Sequence, residues 1–253
     1  MINKNSNQFT MIFASIMVVV VAVLLASAAI QLGPLQQQNA RIEKMQNILS
    51  SIGIESEVDD AEKLFNQYIQ DQVVLNNQGE QVKNDVKAFD IDLKKEQDKL
   101  KTGRANEQLF PLFIFKKEEK LYYVIPVRGK GLWGPIWGYL SLEEDMNTIY
   151  GASFGHKSET PGLGAEISTA EFQQQFNGKT IFDNSGNFTS VRVIKGGAPP
   201  NDQHGVDAIS GGTVTSNGVS EMLSRTLESY IQFFKSNNSS GGDTAVITGQ
   251  SAN

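Results

Sequence analysis

Hydrophobic positions fall along this chain in two regimes, one continuous and one periodic. Residues 11–30 read MIFASIMVVVVAVLLASAAI without a charge, and about twenty such residues in a helix span the roughly 30 Å hydrocarbon layer of a bilayer. Ala26-Ser27-Ala28 also forms an A-x-A site of the kind that follows a signal-peptide core. Retention is favoured because the apolar run outlasts a usual signal core, with Gly33-Pro34 expected to end the helix just beyond the span.

Past the span the pattern becomes periodic. Ile42, Met45, Leu49 and Ile52 recur at helical spacing and predict an amphipathic helix over 41–51. Asp59-Asp60-Ala61-Glu62 reads as a capping box with Asp59 as N-cap, opening a short helix with Leu64, Phe65, Tyr68 and Ile69 on one face. The stretch 72–93 is strand-like around Asn76-Asn77-Gln78-Gly79, and the charged run 94–101 reads as a solvated surface. Apolar strands at 112–115 and 121–127 flank the charged turn 116–120, and strands at 136–140 and 148–154 continue the sheet. Ser168-Thr169-Ala170-Glu171 is a second capping box, ahead of strands at 180–182 and 190–194. Val219, Met222, Leu223, Thr226, Leu227, Tyr230, Ile231 and Phe234 then hold one face of a helix for four turns. The Ser/Asn/Gly-rich remainder after Ser236 reads as disordered. Mixed in this way, the elements predict an α+β domain behind an N-terminal transmembrane helix.

Composition narrows the chemistry. A net charge of −6, with 40% hydrophobic and 20% charged residues, argues against a nucleic-acid partner. Cysteine is absent, so disulfides, thiolate catalysis and cysteine-held iron–sulfur clusters are excluded. His156 and His204 have no companion at metal-ligand spacing, and no metal site is expected. Lys4 and the amino terminus are the only positive groups before the span, which puts the N-terminus in the cytoplasm and the soluble domain outside.

Two motifs fail on their context. Gly129-Lys130-Gly131-Leu132-Trp133-Gly134 satisfies G-x-G-x-x-G, but a dinucleotide loop must open a helix, and Pro135 with an apolar strand follows instead. Gly151-Ala152-Ser153-Phe154-Gly155 satisfies G-x-S-x-G, but the strand–turn–helix of a nucleophile elbow is impossible before Thr160-Pro161-Gly162-Leu163-Gly164.

A third segment keeps its promise. Asp207-Ala208-Ile209-Ser210-Gly211-Gly212-Thr213-Val214-Thr215-Ser216 sets small residues among hydroxyls directly before the last amphipathic helix. Gly211 and Gly212 allow close backbone approach, Thr215, Ser216 or Asn217 could cap the helix, and its free N–H groups and positive dipole end favour an anion such as a phosphate near Thr213. On the residues alone, a glycine turn with a helix cap is the simpler account of the same segment. In the loop ahead of it, Thr160-Pro161-Gly162 makes a rigid turn with exposed N–H groups, Leu163 offers an apolar face to a planar ring, and Glu159 can accept hydrogen bonds.

D-A-I-S-G-G-T resembles the flavinylation sequence of the FMN-binding domain family, and His156-Lys157-Ser158-Glu159-Thr160-Pro161-Gly162-Leu163-Gly164-Ala165 resembles the H-x-x-E-T-P-G-L-G loop of that family. Gly212 departs from the pattern by standing where the family usually has alanine. The resemblance implies FMN joined by a phosphoester to Thr213, with Ser210, Gly211, Gly212, Val214, Thr215, Glu159, Thr160, Gly162, Leu163 and Gly164 around it. Gly131-Leu132-Trp133-Gly134-Pro135-Ile136-Trp137-Gly138 is similar to a turn of the family, which makes Trp133 a wall of the flavin site, core packing being the alternative for both tryptophans.

Over most of its length the chain resembles the C subunits of sodium-translocating NADH:quinone reductases. Related ferredoxin:NAD-type electron-transport complexes contain a similar anchored flavoprotein, and the long segment before residue 110 favours the former. This resemblance implies a subunit with no catalytic residue of its own toward NADH, relaying electrons in the bacterial inner membrane. Electrons would arrive from an iron–sulfur centre between the D and E subunits and leave to the flavin of the B subunit, after a flavin transferase using FAD and magnesium has attached the FMN. The expected layout is a cytoplasmic tip and transmembrane helix over 1–33, a membrane-proximal segment over 34–109, a periplasmic FMN-binding domain over 110–235 and a tail over 236–253.

Overall fold

The computed structural model describes residues 6–82 and 86–238. The chain divides into two compact units, one ending at Met45 and one beginning at Gln46. Helix α1 (Asn7–Ser51) contains the apolar run, whose side chains stand exposed and whose length and composition suit a membrane crossing. Gly33-Pro34 does not end this helix, and the helix expected over 41–51 is its continuation. Proline removes one donor and crowds one carbonyl, a local penalty of about 3 kcal/mol. The good helix formers on either side outweigh it, because helix propagation is cooperative.

From Gln46 onward the chain is an α+β domain. Asp60, not Asp59, stands at the N-cap of helix α2 (Ala61–Tyr68), and no side chain bonds to the helix end. Of the donors at its end, Ala61 N–H meets Glu57 O at 3.1 Å, and the first bond within the helix runs from Leu64 N–H to Asp60 O at 2.9 Å. Strand β1 (Ile69–Leu75) follows, then a turn at Asn76–Gly79 closed by Gly79 N–H to Asn76 O at 3.1 Å. The charged run forms helix α3 (Leu93–Lys101), with no buried residue and with Asp92 accepting from Lys94 N–H at 2.9 Å.

Strands β2 (Phe110–Lys117), β3 (Lys120–Lys130), β4 (Pro135–Leu142) and β5 (Ile149–His156) join β1 in one antiparallel sheet in sequence order. The β2–β3 hairpin turns at Glu118-Glu119, both with positive φ, a geometry that matches strand twist but that usually recruits Asn-Gly. Alternation sends Leu112, Ile114, Ile125, Val127, Ile136 and Leu140 into one core. On the opposite face Phe113 and Phe115 meet Phe65 of α2 edge-on, at centroid distances of 6.4 and 5.8 Å.

Helix α4 (Ala170–Gln174) starts one residue later than the motif implied, with Thr169 as cap. The strand expected over 180–182 is reduced to isolated bridges. The Asn147 side chain takes its donors, accepting from Ile181 N–H at 3.1 Å and Phe182 N–H at 2.9 Å. Strand β6 (Arg192–Ile194) pairs in parallel with β7 (Gly205–Asp207).

The last amphipathic face is divided between helix α5 (Thr213–Glu228) and helix α6 (Ile231–Asn238). Between them Tyr230 turns into the core and donates to Pro111 O at 2.7 Å. Val219, Met222, Leu223 and Leu227 cover the sheet. Close approach to β3 depends on glycine, since a Cβ at Gly129 would fall 2.7 Å from Met222 Cβ and one at Gly218 would strike Lys130 O. That seating fixes where α5 begins. Asn237 and Asn238 are helical, and the rest of the expected tail, 239–253, lies outside the described residues.

Candidate functional site

Three connections converge on the start of α5. The first is the β3–β4 turn, closed by Gly131 N–H to Gly134 O at 2.8 Å, with Leu132 and Trp133 at its tip and Trp133 65% exposed. Trp133 is therefore not core, unlike the half-buried Trp137.

The second connection leaves β5. Glu159 N–H donates to His156 Nδ1 at 3.2 Å, and Ser158 Oγ donates to Trp133 O at 3.3 Å. Thr160 O accepts from both Leu163 and Ala165 N–H at 3.1 Å. Gly162 sits at φ +74, a conformation suited to glycine, and its N–H donates to Glu166 Oε1 at 2.8 Å. These bonds close the turn, and the Gly162 N–H is not left free for a ligand.

The third connection runs from β7 into α5. Gly211 has φ +72, and a Cβ there would lie 2.6 Å from Leu163 Cδ2. Gly212 is the N-cap, with φ −101, and no side chain bonds to the helix end. Thr215, Ser216 or Asn217 were the expected caps, so the helix starts earlier than anticipated. Thr215 and Ser216 instead point inward and are buried. Thr215 Oγ1 donates to Glu159 Oε2 at 2.6 Å, and Ser216 Oγ accepts from Ile209 N–H at 3.2 Å. Thr213 is thus the first helical residue, half-buried, and its hydroxyl has no hydrogen-bond partner among the described residues.

The first bond closing onto the cap runs from Ser216 N–H to Gly212 O at 2.9 Å, so the N–H groups of Thr213, Val214 and Thr215 precede it. No acidic side chain lies in this first turn. An anion at Thr213 would meet free donors and the positive end of the helix dipole. Gly211 is exposed whereas Gly212 is buried against Ile209, and Trp133, Leu163 and Val214 offer exposed apolar surface. A flat, phosphate-bearing ligand fits these residues.

Residues 131–228, from the β3–β4 turn to the end of α5, match the FMN-binding domain family. The C subunit of the Na(+)-translocating NADH-quinone reductase of Vibrio anguillarum is 33% identical over 228 residues, spanning 86% of this chain and 89% of its own. The chain belongs to this family of C subunits. Among solved structures, the C subunit from Parabacteroides distasonis is 44% identical with a TM-score of 0.71, covering 79% of this chain and 95% of its own. NqrC of Shewanella oneidensis is 28% identical with a TM-score of 0.67, covering 79% of this chain and 98% of its own.

Within this family fold, Glu159 bonds to both Trp133 and Thr215, with Gly164 packed beside that pair and Gly211 and Gly212 beside Leu163. Thr160 and Gly162 shape the loop that presents Leu163, while Ser210 and Val214 stand exposed beside Gly211 and Thr213. Sequence reasoning passed over Gly131, where a Cβ would fall 2.6 Å from Glu159 Oε1. Its signal was the misleading G-x-G, whose glycines make room for Met222 and Glu159 rather than for a dinucleotide. Ser153 lies within β5, is buried, and bonds at 3.4 Å to Asn47 Oδ1, so it sits on no nucleophile elbow.

Proposed function

We propose that this chain is a membrane-anchored flavoprotein that carries FMN on Thr213 through a phosphoester and passes electrons between subunits of a sodium-translocating NADH:quinone reductase. The observation that carries the reading is the Thr213 hydroxyl, without a hydrogen-bond partner among the described residues, on the first residue of a helix with no side-chain cap. Attachment joins Thr213 Oγ to the flavin phosphate with loss of the hydroxyl proton, AMP leaving from FAD under the action of a flavin transferase. The N–H groups of the first turn then receive phosphate oxygens, and the helix end favours their charge by about 0.3–1 kcal/mol.

Bound FMN supplies one- and two-electron redox chemistry. Thr213 is a tether and not a nucleophile of turnover. Exposed Ser210 and Gly211 leave the approach to it unobstructed, Gly212 closes the turn beneath it, and Trp133, Leu163 and Val214 give apolar faces to a planar ring. Thr160, Gly162 and Gly164 hold the loop that presents Leu163, and Glu159 and Thr215 brace it from below. On this reading the span retains the domain at the membrane, and the positive charge ahead of it supports a periplasmic side for the domain. The B, D and E subunits are the partners on this reading.

Thr213→Ala, expressed with the flavin transferase, should give folded protein without flavin fluorescence on a denaturing gel. A full fluorescent band from that variant would contradict the tether.

A further inference from the structure

Glu159 is 5% exposed, yet its carboxylate is not an idle core group. Oε1 accepts from Trp133 N–H at 2.8 Å and Oε2 accepts from Thr215 Oγ1 at 2.6 Å. One side chain therefore bridges the β3–β4 turn and the first turn of α5, while its own backbone carries the Thr160–Gly164 loop. Room for it exists only because two neighbours lack a Cβ. A methyl group at Gly131 would fall 2.6 Å from Oε1, and one at Gly164 would strike Oε2 and lie 2.6 Å from Thr215 Oγ1. No ion pair involving Glu159 occurs among the described residues. A buried charge held by hydrogen bonds alone carries its field into its surroundings more strongly than a paired or solvated one.

We propose that Glu159 is the positioning residue of the flavin seat, clamping the Trp133 turn to the start of α5 and setting a fixed negative charge beneath it that disfavours addition of electrons to the bound flavin. The inference rests on the seat being where FMN sits. With both oxygens already bonded inward, Glu159 acts through Trp133 and Thr215 rather than by touching the ring. Its electrostatic part is separable from its mechanical part. A glutamine amide can keep an oxygen on Trp133 N–H and donate from its nitrogen to Thr215 Oγ1, preserving the clamp and deleting the charge. Alanine deletes both. Removing one charge from a buried site near a reacting centre changes an electron-addition equilibrium on the order of tenfold.

The test uses full-length protein carrying Glu159, Glu159→Gln or Glu159→Ala, each prepared with and without the flavin transferase. Hydrogen exchange of the segment 131–134 in flavin-free protein reads the clamp, and equilibrium reductive titration of the flavinylated protein reads the charge. Glu159→Gln should keep wild-type exchange while the reduction equilibrium of its flavinylated form rises on the order of tenfold. Glu159→Ala should speed exchange at Trp133 by roughly tenfold or more, the loss of one charge-assisted hydrogen bond. Unchanged exchange in Glu159→Ala would overturn the clamp, and an unchanged reduction equilibrium in Glu159→Gln would overturn the charge. If wild-type protein takes up no flavin, the tether reading fails by itself, and the exchange measurement still judges Glu159.

Discussion

Val18, Val19, Leu24 and Leu25 of α1 and Leu132, Trp133, Leu163 and Val214 of the α+β domain all present exposed apolar side chains. In α1 they form a continuous charge-free run on every side of a helix, with no glycine or hydrogen-bonded side chain constraining any one position. Around Thr213 they project from three separate connections, each held by glycines and by the buried Glu159. The first surface suits a fluid solvent of hydrocarbon, which asks only for length and hydrophobicity. The second suits one rigid ligand, which requires that each exposed side chain be held from behind.

The largest effects should separate the two surfaces. Replacing both Val20 and Leu24 by Arg opposes membrane insertion by about 5–7 kcal/mol on insertion scales, and should move the protein out of the carbonate-resistant membrane fraction. Leu132→Arg at the other surface should leave folding stability within about 0.5 kcal/mol. Full membrane retention of the double variant would erase the distinction.

Smaller effects sharpen the second surface. A methyl group at Gly164 meets Glu159 and Thr215, so Gly164→Ala should lower urea stability by about 1–3 kcal/mol through overpacking. Gly162 has open space around its missing Cβ but a left-handed backbone, and Gly162→Ala should lose only about 1 kcal/mol. Equal losses would show that crowding against Glu159 does not matter.

The smallest effect is alkaline. Burial raises the Tyr123 and Tyr230 hydroxyls above the usual value of 10.0. Their contribution to stability is complete below pH 10 and fades as pH rises toward the folded-state value, because the unfolded chain alone releases protons there. Urea midpoints should fall above pH 10, less steeply in Tyr230→Phe. Membrane retention should not change, since residues 11–30 contain no tyrosine. A midpoint flat through that range would refute the burial argument.

The features legible in sequence were those set by local periodicity. Alternation gave β2 to β5, the charge-free run gave the apolar helix, and spacing gave the buried face of α5 and α6. Errors arose where backbone donors found distant or unexpected partners. The Asn147 side chain took the N–H groups of Ile181 and Phe182 and left no strand there, and at α2 the cap position fell to Asp60 while Glu57 O took the Ala61 N–H. Pro34 failed to break α1 because cooperativity along a long helix outweighs one lost bond. At the site, the order Gly211-Gly212-Thr213 marked a turn into the last helix, and the family resemblance rather than the order pointed to a ligand there. The Glu159–Thr215 bond could not be read in sequence, since it joins residues 56 apart and neither motif marks the other as its partner.

The central claim is that a free hydroxyl at the head of α5 holds the cofactor. Mass spectrometry of protein matured in its native host should find the peptide spanning 207–216 carrying FMN on Thr213. An unmodified peptide, or a flavin on Ser210 or Thr215, would contradict it.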